Sequence, residues 1–149
     1  MERTFVMIKP DGIQRGLAGG ILSRFEMKGF KIVAAKFGIL PEAIVDKHYE
    51  EHQAKPFFPG MKAYITSGPV FRFVLEGENV VATVRKMNGA TNPAEAAPGT
   101  VRGDYALSIG KNVIHAADSP TSADREIGIH FAKSELVAYE KIDEPHIYD

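Results

Sequence analysis

Residues 3–9, RTFVMIK, are apolar on both faces of an extended chain. Side chains alternate sides along a strand, so a segment of this kind belongs in the middle of a sheet and not at its wet surface. Pro10-Asp11-Gly12 then reads as a turn, which leaves Lys9 at the strand's exit.

The remaining pattern is built around that strand. Over 20–29, Ile21, Leu22 and Phe25 recur at helical spacing and Gly29 can close the helix. Val33, Ala35, Phe37 and Ile39 alternate over 30–39 as a second strand. Pro41 can open another helix, on which Ile44 meets His48 and Val45 meets Tyr49 at i+4. PFFPGMKAYITSG at 56–68 reads as a turn and a short helix. Phe71, Phe73 and Leu75 alternate with Arg72 and Val74, the pattern of a half-buried strand. A helix over 78–88 buries Val80, Val84 and Met87 and leaves Arg85 just off its buried face. Residues 112–117 read as a short strand, and Ser119-Pro120 starts a last helix with Ile127 and Phe131 at i+4; 132–149 shows no clear pattern.

This order admits either a doubly wound parallel sheet or a four-stranded sheet with two main helices on one face, and the pattern leaves both open. The 149 residues suit one domain, 1–149, with a sizeable core. One stretch has no period: NGATNPAEAAPGTVRGD, from Asn88 to Asp104, with two prolines and three glycines. A loop of that length in a compact domain is usually functional or disordered. It carries Thr91 and Arg102 and follows Arg85, which suggests a ligand loop.

Several function classes drop out on composition. A formal net charge of −1 argues against a generally basic nucleic-acid binder. The absence of cysteine excludes disulfides, thiolate chemistry and cysteine-type zinc sites. No stretch approaches the roughly 18 apolar residues of a membrane span, and no signal-peptide pattern is present, so a cytoplasmic protein is expected. Neither G-x-x-x-x-G-K-[ST] nor G-x-G-x-x-G after a strand occurs; GLAGG at 16–20 has the wrong spacing. A nucleotide would have to be held by another device.

Lys9, Arg85 and Arg102 could together grip a polyphosphate, arginine bidentately and lysine as a point charge. Singly, each is as readily a solvated or snorkelling side chain. Phe57 and Phe58 in PFFPG are core residues unless one is exposed as a stacking platform for a base. Among the five histidines, His48 reads as packing, and His52, His130 and His146 show no partner at ligand spacing. His115, in NVIHAAD, differs. In a regular strand it shares a face with Val113, and Ala116 and Ala117 leave room for a ligand to approach; a satisfied structural histidine is the other reading of the local sequence. Asn112 can join it at one site only by preceding the strand proper.

Motifs along nearly the whole chain carry a family resemblance. They are TFVMIKPDGIQRGLAGGIL near the start, HY at 48–49, KPFFPGM at 55–61, SGPV at 67–70, GATNPAEAAPGTVRGDYAL at 89–107, GKNVIHAADS at 110–119 and SADREIGIHF at 122–131. In this order they resemble the nucleoside diphosphate kinases. The resemblance implies an α+β, ferredoxin-like fold: a four-stranded antiparallel sheet (βαββαβ) with helices covering one face. It implies transfer of the terminal phosphate of a nucleoside triphosphate to a nucleoside diphosphate. The route would be ping-pong, through a pros-phosphohistidine on His115, with Mg2+ on the nucleotide.

By the same likeness Glu126 orients His115, and Arg85, Thr91 and Arg102 grip phosphates. Lys9 and Asn112 contact the sugar hydroxyls, with Lys9 also near the transferred phosphate. Tyr49 lines the phosphate end, Phe57 stacks on the base with Met61 and Ile109 on its other side, and Asp118 reaches Mg2+ through water. The family usually has Gly-Ser-Asp after the histidine; this chain has Ala116-Ala117-Asp118. The missing serine hydroxyl normally lies near the histidine and glutamate, so an active but slower enzyme is expected. Ala117 is also the feature that would favour a silent nucleotide sensor. AAPGT at 96–100 resembles the loop at a trimer contact, and the tail ending HIYD is one that shorter, tetrameric members lack. A homohexamer is therefore expected, with a tetramer as the alternative and no nucleic-acid partner.

Overall fold

The computed structural model describes residues 1–149. Four strands form one antiparallel sheet: β1 (Glu2–Ile8), β2 (Lys31–Gly38), β3 (Val70–Gly77) and β4 (Ile114–Ala116), in the order β2-β3-β1-β4. This is the ferredoxin-like arrangement, and it removes the doubly wound alternative. The helices are α1 (Pro10–Gln14), α2 (Ala18–Lys28), α3 (Glu42–His48), α4 (Phe58–Ile65), α5 (Val80–Asn88), α6 (Val101–Tyr105) and α7 (Pro120–His130).

β1 is central, as its two-sided apolar pattern requires, and it divides the core. Val6 and Ile8 point to the face covered by α2 and α5, packing with Ile21, Phe25, Val80 and Val84. Phe5 and Met7 point to the other face, which α3, α4 and α7 close through Val45, Ile65 and Ile127. The two crossover helices thus cover one face as expected, and a second helical layer closes the face that carries His115. β3 is for the same reason not half-buried: Val74 is fully buried and Arg72 is 9% exposed, because the strand lies between β1 and β2 under both layers. An arginine that alternation would place in solvent is therefore an interior residue.

Three local readings change. Pro10-Asp11-Gly12 is the first turn of α1, with proline pre-set for the first helical position. The unpatterned stretch contains a helix, α6, started by the Thr100 side chain accepting from Gly103 N–H. The tail lies along β2: Val137 N–H donates to Val33 O at 2.8 Å, and Tyr139 O–H donates to Ile32 O at 2.6 Å. It covers the exposed side of an edge strand.

Candidate active site

The sheet topology brings three separate chain segments to one spot. β4 pairs with β1 so that His115 stands opposite Met7, on the Phe5 face. Lys9 leaves the end of β1 beside it. Just before β4, Val113 has φ 74°, and Ile114 N–H donates to Asn112 O at 2.8 Å, forming a γ-turn. A β-branched residue in that region is strained, at a cost of about 1–3 kcal/mol. The kink breaks strand alternation: Val113 packs in the same cluster as Ile114 and does not share a face with His115. It also puts Asn112 ahead of the strand, where Asn112 Oδ1 accepts from Lys9 Nζ at 2.7 Å and Asn112 Nδ2 donates to Thr91 O at 3.0 Å.

The strained turn is held from outside. Asp11 Oδ2 accepts from Val113 N–H at 3.0 Å, Asp11 Oδ1 takes the Tyr64 hydroxyl, and Lys9 N–H donates to Val113 O at 2.8 Å. Gly12 makes the approach possible, since a Cβ there would lie 2.7 Å from Ile8 Cγ2 and 3.1 Å from Val113 O. Neither Asp11 nor Tyr64 was legible as a site residue, because each acts on backbone distant in sequence.

Two cavities meet at His115 and Tyr49. One, of about 850 Å³, runs past Lys9, Phe57, Met61, Thr91, Ile109 and Asn112. Phe57 is 53% exposed at the start of α4 and Ile109 is 61% exposed, so an apolar clamp stands open at this end. The other cavity, of about 210 Å³, is lined by His48, His52, Arg85, Asp118, Arg125 and Glu126. Lys9, Arg102 and Arg85 lie near one another at and behind the junction. Lys9 is pushed down to about 8, by burial and then by Arg102; Arg102 is pushed down to about 10, by burial and then by Arg85. Like charges held together against their own repulsion mark a place for a polyanion. Burial, and then Glu126, raises Tyr49 to about 12, so it enters as a neutral phenol.

Arg102 differs from its expected place. It is 3% exposed and lines neither cavity; Nε donates to Asn112 O at 3.2 Å, Nη1 to Gly89 O at 2.9 Å and Nη2 to Ile114 O at 2.6 Å. It braces the backbone on both sides of the kink and spends three of its five donors doing so. Arg85 lies at the cavity wall, with Nη1 donating to Ala116 O at 3.3 Å.

His115 Nε2 is in contact with Glu126 Oε1, and Glu126 is 6% exposed on α7. A buried carboxylate acceptor fixes the proton on Nε2 and leaves Nδ1 with a lone pair. His48, read from the sequence as packing, and His130, read as having no partner at ligand spacing, join this group: His130 Nε2 and His48 Nδ1 are 2.8 Å apart, and His48 Nε2 lies 3.5 Å from Glu126 Oε1. Glu126 and His130 are four positions apart on one helix, a spacing visible in EIGIH; His48 comes from α3, 82 positions from His130. Arg125 ties the two helices, donating to Lys47 O at 2.6 Å and to His48 O at 3.4 Å.

His48, His115 and Glu126 present ligand atoms within 4.8 Å of one another, as a metal centre would. Their hydrogens argue otherwise. Arg72 Nη1 can only donate, so His130 Nδ1 at 3.3 Å must accept, His130 Nε2 carries the proton, and His48 receives it at Nδ1. His48 Nε2 is then protonated, and the cluster is a hydrogen-bonded one. Ala117 is fully buried, packs in the apolar cluster with Ala116 and Ala123, and donates its N–H to Phe5 O at 3.1 Å, so no hydroxyl stands there.

Comparisons with known proteins show the family. The family model described as nucleoside diphosphate kinase matches residues 2–136. A nucleoside diphosphate kinase from Methanocorpusculum labreanum is 83% identical over 149 residues, covering 100% of each chain. One from Archaeoglobus fulgidus is 56% identical, covering 100% of this chain and 99% of that one. Among solved structures, a halophilic nucleoside diphosphate kinase from Halobacterium salinarum in complex with CDP has a TM-score of 0.96 at 47% identity, covering 99% of both chains.

Proposed function

The chain belongs to the nucleoside diphosphate kinase family, enzymes that transfer phosphate between nucleotides, and on that premise we propose that His115 is the residue that carries the phosphate. The supporting observation is the single imidazole at the junction of the two cavities, with Nε2 on a buried carboxylate and Nδ1 left to react.

In the first half-reaction Nδ1 attacks the terminal phosphorus of a nucleoside triphosphate. The bond to the bridging oxygen breaks, and the diphosphate leaves with that oxygen. The imidazole becomes a phosphorylated cation whose Nε2–H rests on Glu126, so the carboxylate stabilises the charge formed. A second diphosphate then attacks the pros-phosphohistidine and regenerates the imidazole. The transition state is loose, with charge spread over phosphoryl oxygens, so position and cations supply most of the acceleration. Arg85 and Lys9 supply these cations, and Arg102 serves chiefly by holding the backbone. Thr91 stands where the loop closes on the nucleotide. Lys9 and Asn112, already joined, present their other donors to the sugar hydroxyls.

The base lies on Phe57, with Met61 and Ile109 opposite. Stacking reads no hydrogen-bond pattern, so one site serves several bases. Mg2+ would come with the triphosphate and neutralise charge on its phosphates, with Asp118 the residue to reach it through water. The residues present fit that: Asp118 is exposed at the phosphate cavity and no protein cage surrounds it, as suits an ion held by phosphates and waters.

Residues 1–149 act as one domain, in the cytoplasm, and as a homohexamer, with a tetramer as the alternative. The exposed Ala97-Pro98-Gly99 loop is the contact this reading uses, and sedimentation of the purified protein distinguishes the two assemblies. The activity reading is tested by mixing the protein with terminally labelled ATP. Acid-labile label on the protein, chased onto any added diphosphate and lost in His115→Gln, is the expected result. Turnover at background in the wild type would leave a nucleotide sensor instead.

A further inference from the structure

We propose that His130 is a positioning residue for phosphoryl transfer: the directed chain Arg72, His130, His48 keeps the Nε2–H of His48 aimed at Glu126 and so steadies the carboxylate that holds His115. This rests on the reading of His115 as the phosphate acceptor.

The chain has a direction because its first member has no choice. Arg72 Nη1 is a donor only, lies 3.3 Å from His130 Nδ1, and is itself 9% exposed in the middle of β3. The proton of His130 therefore sits on Nε2, 2.8 Å from His48 Nδ1, and the proton of His48 sits on Nε2, 3.5 Å from Glu126 Oε1. That oxygen also faces His115 Nε2. That oxygen thus has the His115 imidazole in contact and the His48 Nε2–H 3.5 Å away, and the two together fix its place. With the opposite tautomer His48 would present a lone pair to Oε1, and the carboxylate would turn away from His115.

Packing keeps the rings in place. Phe5 stacks on His130 with centroids 4.1 Å apart and planes 19° apart, and His48 stands edge-on to both His130 and His115. Both relay imidazoles stay neutral. Arg72 and Lys36 face His130, with Glu135 beyond them; Arg125 and Lys9 face His48, with Glu126 3.5 Å from its Nε2. Burial and these cations all oppose a second proton on either ring, so tautomers, not charges, carry the information.

The test compares His130→Phe, which keeps a ring on Phe5 and loses both nitrogens, with His130→Gln, whose amide can accept from Arg72 and donate to His48. Phosphoenzyme formation from labelled ATP is followed by rapid quench, with nucleotide KM measured alongside. Imidazole nitrogen shifts in protein labelled with 15N-histidine report the His48 tautomer. His130→Phe should slow phosphorylation on the order of tenfold, the worth of one hydrogen bond, with KM unchanged. It should give mixed His48 tautomers, and His130→Gln should restore both readouts. Wild-type rate and a single His48 tautomer in His130→Phe would overturn the proposal. If that variant does not fold, Arg72→Met removes the directing donor and must show the same mixing; an unmixed tautomer at full rate again overturns it. A wild type that forms no phosphoenzyme defeats the underlying reading instead, and is seen separately.

Discussion

Lys9 Nζ donates to Asn112 Oδ1 at 2.7 Å, joining the exit of the central strand to the residue before the strained kink, 103 positions away. Burial and Arg102 hold this lysine down to about 8, against an ordinary value near 10.5. A lowered lysine binds fewer protons folded than unfolded between those two values. Stability from this group therefore rises as pH climbs from about 8 to about 10.5 and is least below 8. Binding should run the other way, because phosphates favour the charged form. Nucleotide affinity is expected to fall above about pH 8, with proton uptake on binding near that pH. Calorimetry in buffers of different ionisation enthalpy measures the uptake, and Lys9→Met should abolish it. Binding without uptake at pH 8.5 would contradict the assignment.

Asp11 accepts the N–H of Val113 inside a turn that Val113 would not otherwise adopt. Asp11→Ala leaves that N–H and the Tyr64 hydroxyl without their acceptor. It should cost about 1–3 kcal/mol of stability. Phosphorylation of His115 should fall with it, because the kink sets where β4 begins. Asp11→Asn keeps an acceptor for Val113 and should lose much less. Chemical denaturation and single-turnover rates for the pair decide this; equal losses in the two variants would remove the role given to the N–H.

The strands were legible as strands from the order of their apolar residues, and β1 reads as central from RTFVMIK alone, with Lys9 at its exit. What could not be read was set by partners. Arg72 looks solvated from its alternation and is interior only because a second helical layer covers that face. α6 was hidden by the glycines and prolines before it, and its start depends on the Thr100 cap. Val113 carries no local sign of a positive φ, since Asp11 and Arg102 impose it from two other segments. His48 read only as packing and His130 as without a partner, because the bond between them is tertiary. The resemblance pointed to His115 and Glu126, but not to the residues that hold them.

Phe57 is half exposed and makes no core contact that the fold depends on. Phe57→Ala should therefore leave stability within about 0.5 kcal/mol. Lost stacking is worth about 1–3 kcal/mol per base, so nucleotide affinity should drop about tenfold or more. The drop should be similar for purine and pyrimidine nucleotides, because every base has a face to stack. Isothermal titration with four diphosphates checks it, and a loss confined to one base would point to hydrogen-bond recognition instead.

Asn88 ends α5 at 1% exposure with neither its amide nitrogen nor its oxygen paired. A buried unpaired amide is a standing cost that an apolar group of like size removes. Asn88→Leu is expected to raise stability by about 1–2 kcal/mol with turnover unchanged. A thermal melt beside the exchange assay measures both, and a lower melting temperature would mean the amide has a partner in the assembled protein.

Acid should act first on the histidine pair. Burial is the main cause that holds both His48 and His130 well below the ordinary imidazole value of 6.5, with neighbouring cations adding to it. The unfolded chain takes up protons at these residues from about pH 6.5 downward, while the folded chain refuses them. Stability must then fall as pH falls through that value, by up to about 1.4 kcal/mol per pH unit for each histidine. The loss should be under way by pH 5.5, before most carboxylates titrate. His130→Phe removes one of the two protons from the balance, so its stability should decline with a visibly shallower slope between about pH 6.5 and pH 5. Denaturation midpoints across that range give the slopes directly. Parallel slopes for the variant and the wild type would place the acid-sensitive groups elsewhere.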